Sequence, residues 1–523
     1  MNSLTSNRSP WHWLLVIAVA SVLGLGVVFA TRLPFSTTVM LLLVLVVPFA
    51  VLVAPNIEKI GIVIILLDIP LQIDTFIGFD ESQADFGAII GFNFSITTLA
   101  LVLLYGHWAL THYRRLVENK PIDSHDLPAA PSHRSQKLLR LAFVLPLVYI
   151  AFAALSAAGS TDPMRVVYEL CLLLQVYLAV LYLFSHMRTR QEVLFVCGML
   201  VLGVGIAGAI SAVLRVTGQG FSFGILNGRV DNDWLGVRVG GTVGTPNTAA
   251  GYFAFAMSIA GGLLLAKVSR SLKALSVFGL LFGCIGLVVT SSRGGWITFA
   301  IVIAVLLAIG VYRHLVNPAV VIAVLVMLAG VVFVFQGEIV DRITTDDRGS
   351  AESRLPLNAM AWKIIQDHPI FGVGLNNYDL AMQDYITPDL SGEWIYIVHN
   401  RYLLLWSETG IGGLVAYIAL ILLGIFGGWH AIKLKDPVLS PIALGAFAGC
   451  CGILIHFAAD IFSGRNVVEL LWLMAGLQLV IWRMVVYENL TNGEVTPERN
   501  NYRLLAAPKP NQFGEKREWI SKL

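Results

Sequence analysis

Runs of apolar residues long enough to cross a bilayer recur along almost the whole chain. Each run holds roughly twenty residues, which is the length that a helix needs to span the hydrocarbon core. About fourteen such runs lie near residues 11–30, 35–54, 57–77, 88–110, 138–158, 164–185, 192–214, 245–266, 272–290, 294–312, 317–335, 400–429, 441–460 and 466–486. Only 13% of the residues are charged, which is far below the share in soluble domains. The sequence therefore predicts an all-α polytopic membrane protein with about 12–14 transmembrane helices.

Lysine and arginine are concentrated in alternate connections between these runs. The enriched connections are 112–140, 186–192, 267–273, 312–317 and 430–436. Cytoplasmic loops of membrane proteins carry an excess of positive charge, so we predict that these connections and both termini are cytoplasmic. The same rule places the long connection 337–399 outside the membrane.

The chain divides into four predicted parts. Residues 1–336 form N-terminal transmembrane helices with short outer loops, and 337–399 form one large external loop. Residues 400–486 form the C-terminal transmembrane helices, and the polar tail 487–523 is predicted to be a disordered cytoplasmic segment.

The large loop contains a predicted amphipathic helix over Ser353–Asp367. Its apolar residues follow the helical period and are Leu357, Met360, Ala361, Ile364 and Ile365. His368 and Pro369 end it, because the residue before a proline disfavours the helical conformation. A membrane protein that keeps one large ordered loop is expected to work there, and the helix is a candidate lid over an entry to the site from the membrane.

Arginines on the predicted outer side cannot be explained by the rule that sets orientation. They are Arg165, Arg215, Arg229, Arg238, Arg293, Arg342, Arg348, Arg354 and Arg465, with Arg401 just inside a predicted span. These arginines are candidates for binding an anion.

The first candidate group lies in the glycine-rich connection 218–247, which carries Arg229, Arg238 and Asn247. Glycines allow backbone N–H groups to approach a phosphate, and an arginine can bind it with two parallel hydrogen bonds. The alternative is a flexible loop whose arginines contact lipid headgroups.

The second candidate is Arg293, in the short hinge 290–296 between two predicted spans. An arginine held at or below the membrane surface is costly unless it meets an anionic group. The alternative is a side chain that extends to the lipid phosphates.

The third group begins at His399, followed by Asn400 and Arg401, with Glu408 further along the same predicted span. Histidine is the natural general base at neutral pH. The alternative is a hydrogen-bonded histidine at the membrane interface. Glu408 lies about 13 Å along a helix from His399, so we expect it to pair with another polar group in the bundle.

These pieces, in this order, resemble the O-antigen ligase and O-antigen polymerase superfamily of bacterial membrane glycan transferases. The resemblance rests on Arg238 to Asn247, on the Ser292-Arg293-Gly294-Gly295-Trp296 motif, on His368-Pro369 with Gly372 and Gly374, and on His399-Asn400 with Glu408-Thr409-Gly410. It covers about residues 238–415.

The resemblance implies that a glycan moves from a polyprenyl-diphosphate carrier to an acceptor hydroxyl on the outer face of the bacterial cytoplasmic membrane. The acceptor would be another glycan or a lipid core. It also implies a metal-independent reaction without a cofactor, with Arg238 and Arg293 on the diphosphate and His399 as base. Arg229, Asn247, Asn400, Arg401 and Glu408 are further candidate substrate-binding residues. Membrane lipids and other polysaccharide assembly proteins are expected partners, and nucleic acid is not.

Two other classes of function remain open at this point. A transporter or lipid flippase predicts related halves and ionisable residues around broken helices at the bilayer midplane. A structural subunit without activity predicts no clustering of arginines on the outer side.

Overall fold

The computed structural model describes residues 56–78, 90–117, 133–223, 226–233, 236–334, 336–337, 340, 354–387, 396–462 and 464–491. Nine helices in these ranges are long and apolar enough to cross a membrane. The predicted all-α polytopic membrane class is therefore confirmed. The first two predicted spans, 11–30 and 35–54, and the tail from residue 492 onward lie outside the described residues.

The helices and strands run in the following order. They are α1 (Ile57–Leu71), β1 (Asp74–Ile77), β2 (Phe92–Ser95), α2 (Ile96–Val117), α3 (His133–Leu155), α4 (Pro163–His186), α5 (Arg190–Thr217), β3 (Phe221–Phe223), β4 (Leu226–Asp233), β5 (Gly236–Gly241), α6 (Pro246–Leu265), α7 (Arg270–Val289), α8 (Arg293–Tyr312), α9 (Pro318–Val334), α10 (Arg354–Asp367), α11 (Tyr378–Ala381), α12 (Arg401–Lys433), α13 (Leu439–His456) and α14 (Arg465–Thr491).

Glycines bring the spanning helices close together. A Cβ atom added at Gly208 of α5 would lie 2.1 Å from the carbonyl oxygen of Phe282 in α7. One added at Gly262 of α6 would lie 2.6 Å from the carbonyl oxygen of Pro441 in α13. Small residues allow such close backbone contact, on which helix association in lipid depends. The membrane-length stretches of α6, α13 and α14 are 78%, 78% and 94% buried, so these three helices form the centre of the bundle.

The predicted spans 57–77 and 88–110 are only partly helical. Helix α1 ends at Leu71, where Gln72 takes a left-handed conformation and the backbone N–H of Ile73 donates to Asp68 Oδ1 at 2.8 Å. The chain then forms β1, which pairs antiparallel with β2. A buried carboxylate that accepts backbone hydrogen bonds thus turns the chain before the apolar run is complete.

The glycine-rich connection 218–247 forms an antiparallel sheet in the order β3-β4-β5. Val237 and Val239 alternate with Arg238 along β5, so the arginine and the two valines point to opposite faces. Val239 packs with Leu214 and Val289, at the ends of α5 and α7. The sheet therefore fixes Arg238 on the bundle, which the alternative interpretation of this connection as a flexible loop would not do.

The predicted amphipathic helix is confirmed as α10, which begins at Arg354 and ends at Asp367. Its buried residues are the five that the sequence pattern selected: Leu357, Met360, Ala361, Ile364 and Ile365. Three of them, Met360, Ala361 and Ile364, pack with Val373, Tyr378 and Val398 of the large loop, and the helix contacts α12.

A break in α12 receives the segment that follows α10. Gly410 has φ +68° and ψ 179°, which interrupts the helix and frees carbonyl groups in the turn before it. The N–H of Val373 donates to the Ser407 carbonyl at 2.8 Å, and the N–H of Gly374 donates to the Glu408 carbonyl at 3.1 Å. In return, the N–H of Ile411 donates to the Pro369 carbonyl at 3.1 Å. The two glycine-containing motifs are therefore two halves of one hydrogen-bonded contact.

Gly410→Ala is expected to lower stability by about 1–3 kcal/mol, because alanine disfavours positive φ. In addition, its Cβ would lie 1.8 Å from the Ile370 carbonyl oxygen. The midpoint of thermal unfolding of the purified protein in detergent measures this. Gly106→Ala in α2 is the matched control, since nothing lies within 4 Å of the added atom and alanine is the better helix former. An unchanged midpoint for Gly410→Ala would contradict this account.

Candidate functional site

Three helices begin close together at one end of the bundle, which we call the site end. Thr245 caps α6, Ser292 caps α8 and Asn400 caps α12, each through a side-chain oxygen that accepts a backbone N–H. A Cβ added at Gly295 would lie 2.4 Å from Ala250 Cβ, which shows how closely the first turns of α8 and α6 approach. Because helix N-termini carry partial positive charge, this end of the bundle favours an anion.

The C-terminal end of α13 lies among these three N-termini. The N–H of Arg401, the first residue of α12, donates to the Phe457 carbonyl at 2.8 Å. His456 lies against α8, since a Cβ at Gly294 would be 2.9 Å from its Nε2. The site end is therefore one continuous contact region.

Arg238 joins the first predicted group to the second. Its Nε donates to the Thr290 carbonyl at 3.1 Å, and its Nη2 donates to Asn247 Oδ1 at 2.9 Å. Thr290 ends α7, three residues before Arg293, and Asn247 lies in the first turn of α6. The structure thus brings together Arg238, Asn247 and the hinge that carries Arg293.

Arg293 is the first residue of α8 and is half-buried. The hinge before it is tightly built, since Ser291 has φ +51° and the hydroxyl of Thr290 donates to the Leu287 carbonyl at 2.7 Å. Trp296 Nε1 donates to the same carbonyl at 3.2 Å. Trp296 therefore bonds within the protein, and the hinge holds Arg293 in place.

His399 is half-buried, and its Nδ1 lies 3.0 Å from the carbonyl oxygen of Ile397. A carbonyl can only accept, so Nδ1 carries the proton and the neutral ring has its lone pair on Nε2. Burial lowers the pKa of His399 below its usual value. The carboxylate of Asp460 opposes this change and the guanidinium of Arg354 adds to it. The neutral form of the histidine is favoured.

Tyr396 packs beside His399. The rings of Tyr396 and His399 are 5.4 Å apart. Burial raises the pKa of Tyr396, the charge of Arg229 opposes this, and the charge of Asp460 adds to it. Arg229 is exposed and its Nε donates to Asp231 Oδ1 at 2.7 Å, so it lies at the rim of the site.

His456 is a site-end residue that the sequence did not single out. It is only 3% exposed, its ring packs against Phe462 at 4.5 Å, and no described residue forms a hydrogen bond with its Nδ1. The charged groups of Asp460 and Arg354 lie near its ring, as they lie near the ring of His399. Its only sequence signal was a histidine at the end of an apolar run with an aspartate four residues later.

Arg401 and Glu408 lie inside the bundle and are 3% and 6% exposed. The Arg401 guanidinium lies 5.6 Å from the centre of the Tyr417 ring. The carboxyl groups of Glu408 and Glu169 are close enough to interact with it electrostatically. The expectation that Glu408 pairs within the bundle agrees with this placement. Contact of either residue with substrate remains a prediction, as it does for Asn400, whose side chain caps α12.

Two of the arginines predicted on the outer side form buried ion pairs. Arg165 Nη1 lies 2.6 Å from Asp379 Oδ2, which fastens the large loop to α4. Arg465 Nη1 lies 2.7 Å from Asp68 Oδ2, and its Nη2 lies 3.3 Å from Asp74 Oδ2. The guanidinium groups of these two arginines are therefore bound to carboxylates inside the protein. Arg342 and Arg348 lie outside the described residues.

The fold and this site define a class, namely a multi-pass membrane protein with a polar centre of arginine and histidine at one end of its helices. Residues 278–418 match the family described as "O-Antigen ligase". The match includes Arg293, His399 and Glu408, while Arg238 and Asn247 precede it. It confirms the predicted resemblance to the O-antigen ligase and polymerase superfamily over this part of the chain, and hence supports glycan transfer of that general type. A comparison with curated proteins gave no match.

Among the described residues, no three His, Cys, Asp or Glu side chains are grouped so that they could hold a metal ion. The metal-independent reaction remains a prediction.

Gly294→Ala is expected to displace the His456 ring, because the new methyl group would lie 2.9 Å from Nε2. The ring must move by less than about 1 Å, so activity is expected to fall by less than the roughly hundredfold that a misplacement of about 1 Å in an active site can cost. Glycan transfer by membranes that contain the variant measures this, with the unfolding midpoint as a check on folding. Gly330→Ala in α9 is the control, since its added atom meets nothing within 4 Å. Normal transfer by Gly294→Ala would exclude His456 from the site.

Proposed function

We propose that this protein transfers a glycan from a polyprenyl-diphosphate carrier to an acceptor hydroxyl at the outer face of the bacterial cytoplasmic membrane. The observation that carries the proposal is the pair of hydrogen bonds from Arg238 to Thr290 and Asn247. They hold one guanidinium beside the hinge of a second arginine, Arg293, at the N-termini of α6 and α8.

The diphosphate is the part of the donor that suits this arrangement. Guanidinium groups bind phosphate oxygens with two parallel hydrogen bonds, and helix N-termini add partial positive charge. As the bond from the anomeric carbon to the diphosphate oxygen breaks, negative charge grows on that oxygen. Arg238 and Arg293 stabilise this charge, so the diphosphate leaves without a general acid.

His399 acts as the general base in this proposal. The acceptor hydroxyl attacks the anomeric carbon and loses its proton to Nε2 of the neutral ring. The hydrogen bond from Nδ1 to the Ile397 carbonyl fixes the tautomer in which Nε2 can accept it. Attack from the side opposite the diphosphate inverts the anomeric configuration.

The charge distribution supports an outer location for the site. Among the described residues, the lysine- and arginine-rich connections 186–192, 312–317 and 430–436 meet at the opposite end of the bundle. There Arg190 pairs with Asp436 at 2.6 Å and Arg313 donates to the Lys433 carbonyl at 3.0 Å. Cytoplasmic placement of that end places the site and the large loop outside. With the two predicted N-terminal spans counted, both termini would be cytoplasmic.

The break in α12 is a feature that a transporter would also have. In transporters, such breaks line a cavity and bind ions through freed backbone groups. Here the carbonyl groups of Ser407 and Glu408 accept hydrogen bonds from the large loop. The break therefore serves to anchor the loop, which favours the transferase over the transporter or flippase.

The acceptor distinguishes a polymerase from a ligase. A polymerase transfers to another lipid-linked glycan, and a ligase transfers to a lipid core or a protein side chain. We favour polymerisation or a general surface-polysaccharide role, since no feature of the chain points to a lipid-core partner. Other polysaccharide assembly proteins are proposed partners.

Arg293→Ala and His399→Ala are expected to abolish transfer when each replaces the wild-type protein in a deletion strain. Surface glycans and carrier-linked glycans are then separated side by side. Single repeat units in place of a ladder indicate a polymerase, and a complete ladder retained on the carrier indicates a ligase. Arg215→Ala serves as a control for loss of an outer arginine. Normal glycans in both variants at normal expression would refute the proposed roles.

The acidic limb of the pH–activity profile is expected below the usual pKa of histidine, about 6.5. The base must be neutral, so activity is lost as the pH falls through the pKa of His399, which burial and Arg354 lower. Arg354→Gln is expected to move this limb to higher pH, and Asp460→Asn to lower pH, since Asp460 raises that pKa.

Arg354→Lys and Asp460→Glu are the controls, because each retains its charge and should leave the limb in place. Tyr396 and His456 also lie near the carboxylate of Asp460. The profile is recorded as kcat/KM at each pH, because this ratio reports the pKa values of groups in the free protein. A shift in the opposite direction for either neutral variant would refute the assignment of His399 as the base.

A further inference from the structure

Helix α10 and the turn after it expose large apolar side chains. Leu355 is 73% exposed, Trp362 46%, Ile370 60% and Phe371 49%. We call these four residues the loop face. Because the opposite side of α10 is already buried in the protein, the helix is apolar on two sides. Four large apolar residues grouped on an external loop require a cover other than water.

The loop face continues the membrane-facing surface of α12. That helix exposes Ile411, Val415, Leu422 and Phe426, which follow one another along one side of a spanning helix. The N–H of Ile411 donates to the Pro369 carbonyl at 3.1 Å, so Ile370 and Phe371 lie directly beside the start of this surface. A spanning helix presents such a side to lipid, and this lipid would extend to the neighbouring loop face.

Two tryptophans mark the level of this junction. The rings of Trp362 and Trp406 meet edge to face at 5.6 Å, and Trp406 Nε1 donates to the Pro369 carbonyl at 3.2 Å. Tryptophan is enriched where hydrocarbon meets the headgroups. The pair therefore fits the interfacial layer of the bilayer.

The other end of α10 lies beside the site. The charge of Arg354, its first residue, lowers the pKa of His399. The buried side of α10 packs with Val398, the residue before His399. A helix of fourteen residues is about 21 Å long. The loop face thus extends from the membrane-facing surface of α12 toward His399.

We propose that the loop face lies in the interfacial layer of the bilayer and contacts the hydrocarbon chain of the lipid-linked donor as its diphosphate approaches Arg238 and Arg293. The contact with bilayer lipid stands on the exposed residues alone, and the contact with the donor rests on the proposed function. Side chains of this kind recognise a long isoprenoid or acyl chain through apolar contact, and the site then selects the diphosphate.

The position in the membrane is tested with nitroxide labels on the full-length protein in phospholipid nanodiscs, after replacement of its five cysteines. Labels are attached to Trp362→Cys and Phe371→Cys, with Lys363→Cys on the polar side of α10 as the control. Oxygen, which concentrates in lipid, is expected to relax the first two labels more than a water-soluble nickel chelate does, and the control is expected to show the reverse. Equal access of the chelate at all three positions would overturn the proposal. The proposal would also be overturned if both labels were shielded from oxygen and from the chelate and showed spin coupling between protein copies. A protein interface would then cover the loop face.

Contact with the donor chain is tested with two donors that carry the same glycan on a long or a short prenyl diphosphate. Leu355→Gln and Trp362→Gln are expected to raise KM for the long-chain donor about fivefold, the effect of losing one good apolar contact, with KM for the short-chain donor unchanged. Lys363→Gln is the matched control. Equal changes for both donors, or none for either, would overturn the contact. Failure of the wild-type protein to use either donor would instead refute the proposed function, and the label measurement would still decide the membrane contact.

Discussion

The hydrogen bonds between residues 369–374 and the break in α12 determine how the site end is built. A helix interrupted inside a bundle has carbonyl groups that no water can reach, and each needs a donor. The N–H groups of Val373 and Gly374 supply two of these donors, and Ile411 returns a third hydrogen bond to Pro369. The large loop is thereby fixed to the helix that begins directly after His399. The positions of α10, the candidate base and the loop face all follow from this contact.

The arginines at the site end differ in what their guanidinium groups contact. Arg165 and Arg465 bind carboxylates in almost fully buried pairs, so their charge is neutralised inside the protein. Arg238 donates to the Thr290 carbonyl and to the Asn247 amide oxygen, which position its guanidinium at the hinge. A predicted position on the outer side could not show these partners. Tertiary structure supplies them.

The local periodic patterns of the sequence were reliable where burial on one side decides the structure. The five apolar residues of α10 were all assigned to its buried side, because a helix of mixed polarity has one favourable orientation. The sheet β3-β4-β5 was not predicted, since its glycines read as a flexible loop. It forms because Val239 packs against Leu214 and Val289, which are distant along the chain. The placement of His456 beside Gly294 likewise depends on α13 packing against α8.

The sequence by itself determined the membrane class, the order of the motifs and the chemical types at the site, because hydropathy and residue chemistry are properties of the chain alone. It also carried the resemblance that the family match confirms. Only the tertiary structure decided which motifs meet, which arginines are paired with carboxylates, and that two glycine motifs are halves of one contact. These depend on which donor and acceptor groups come within hydrogen-bond distance when helices far apart in sequence pack together.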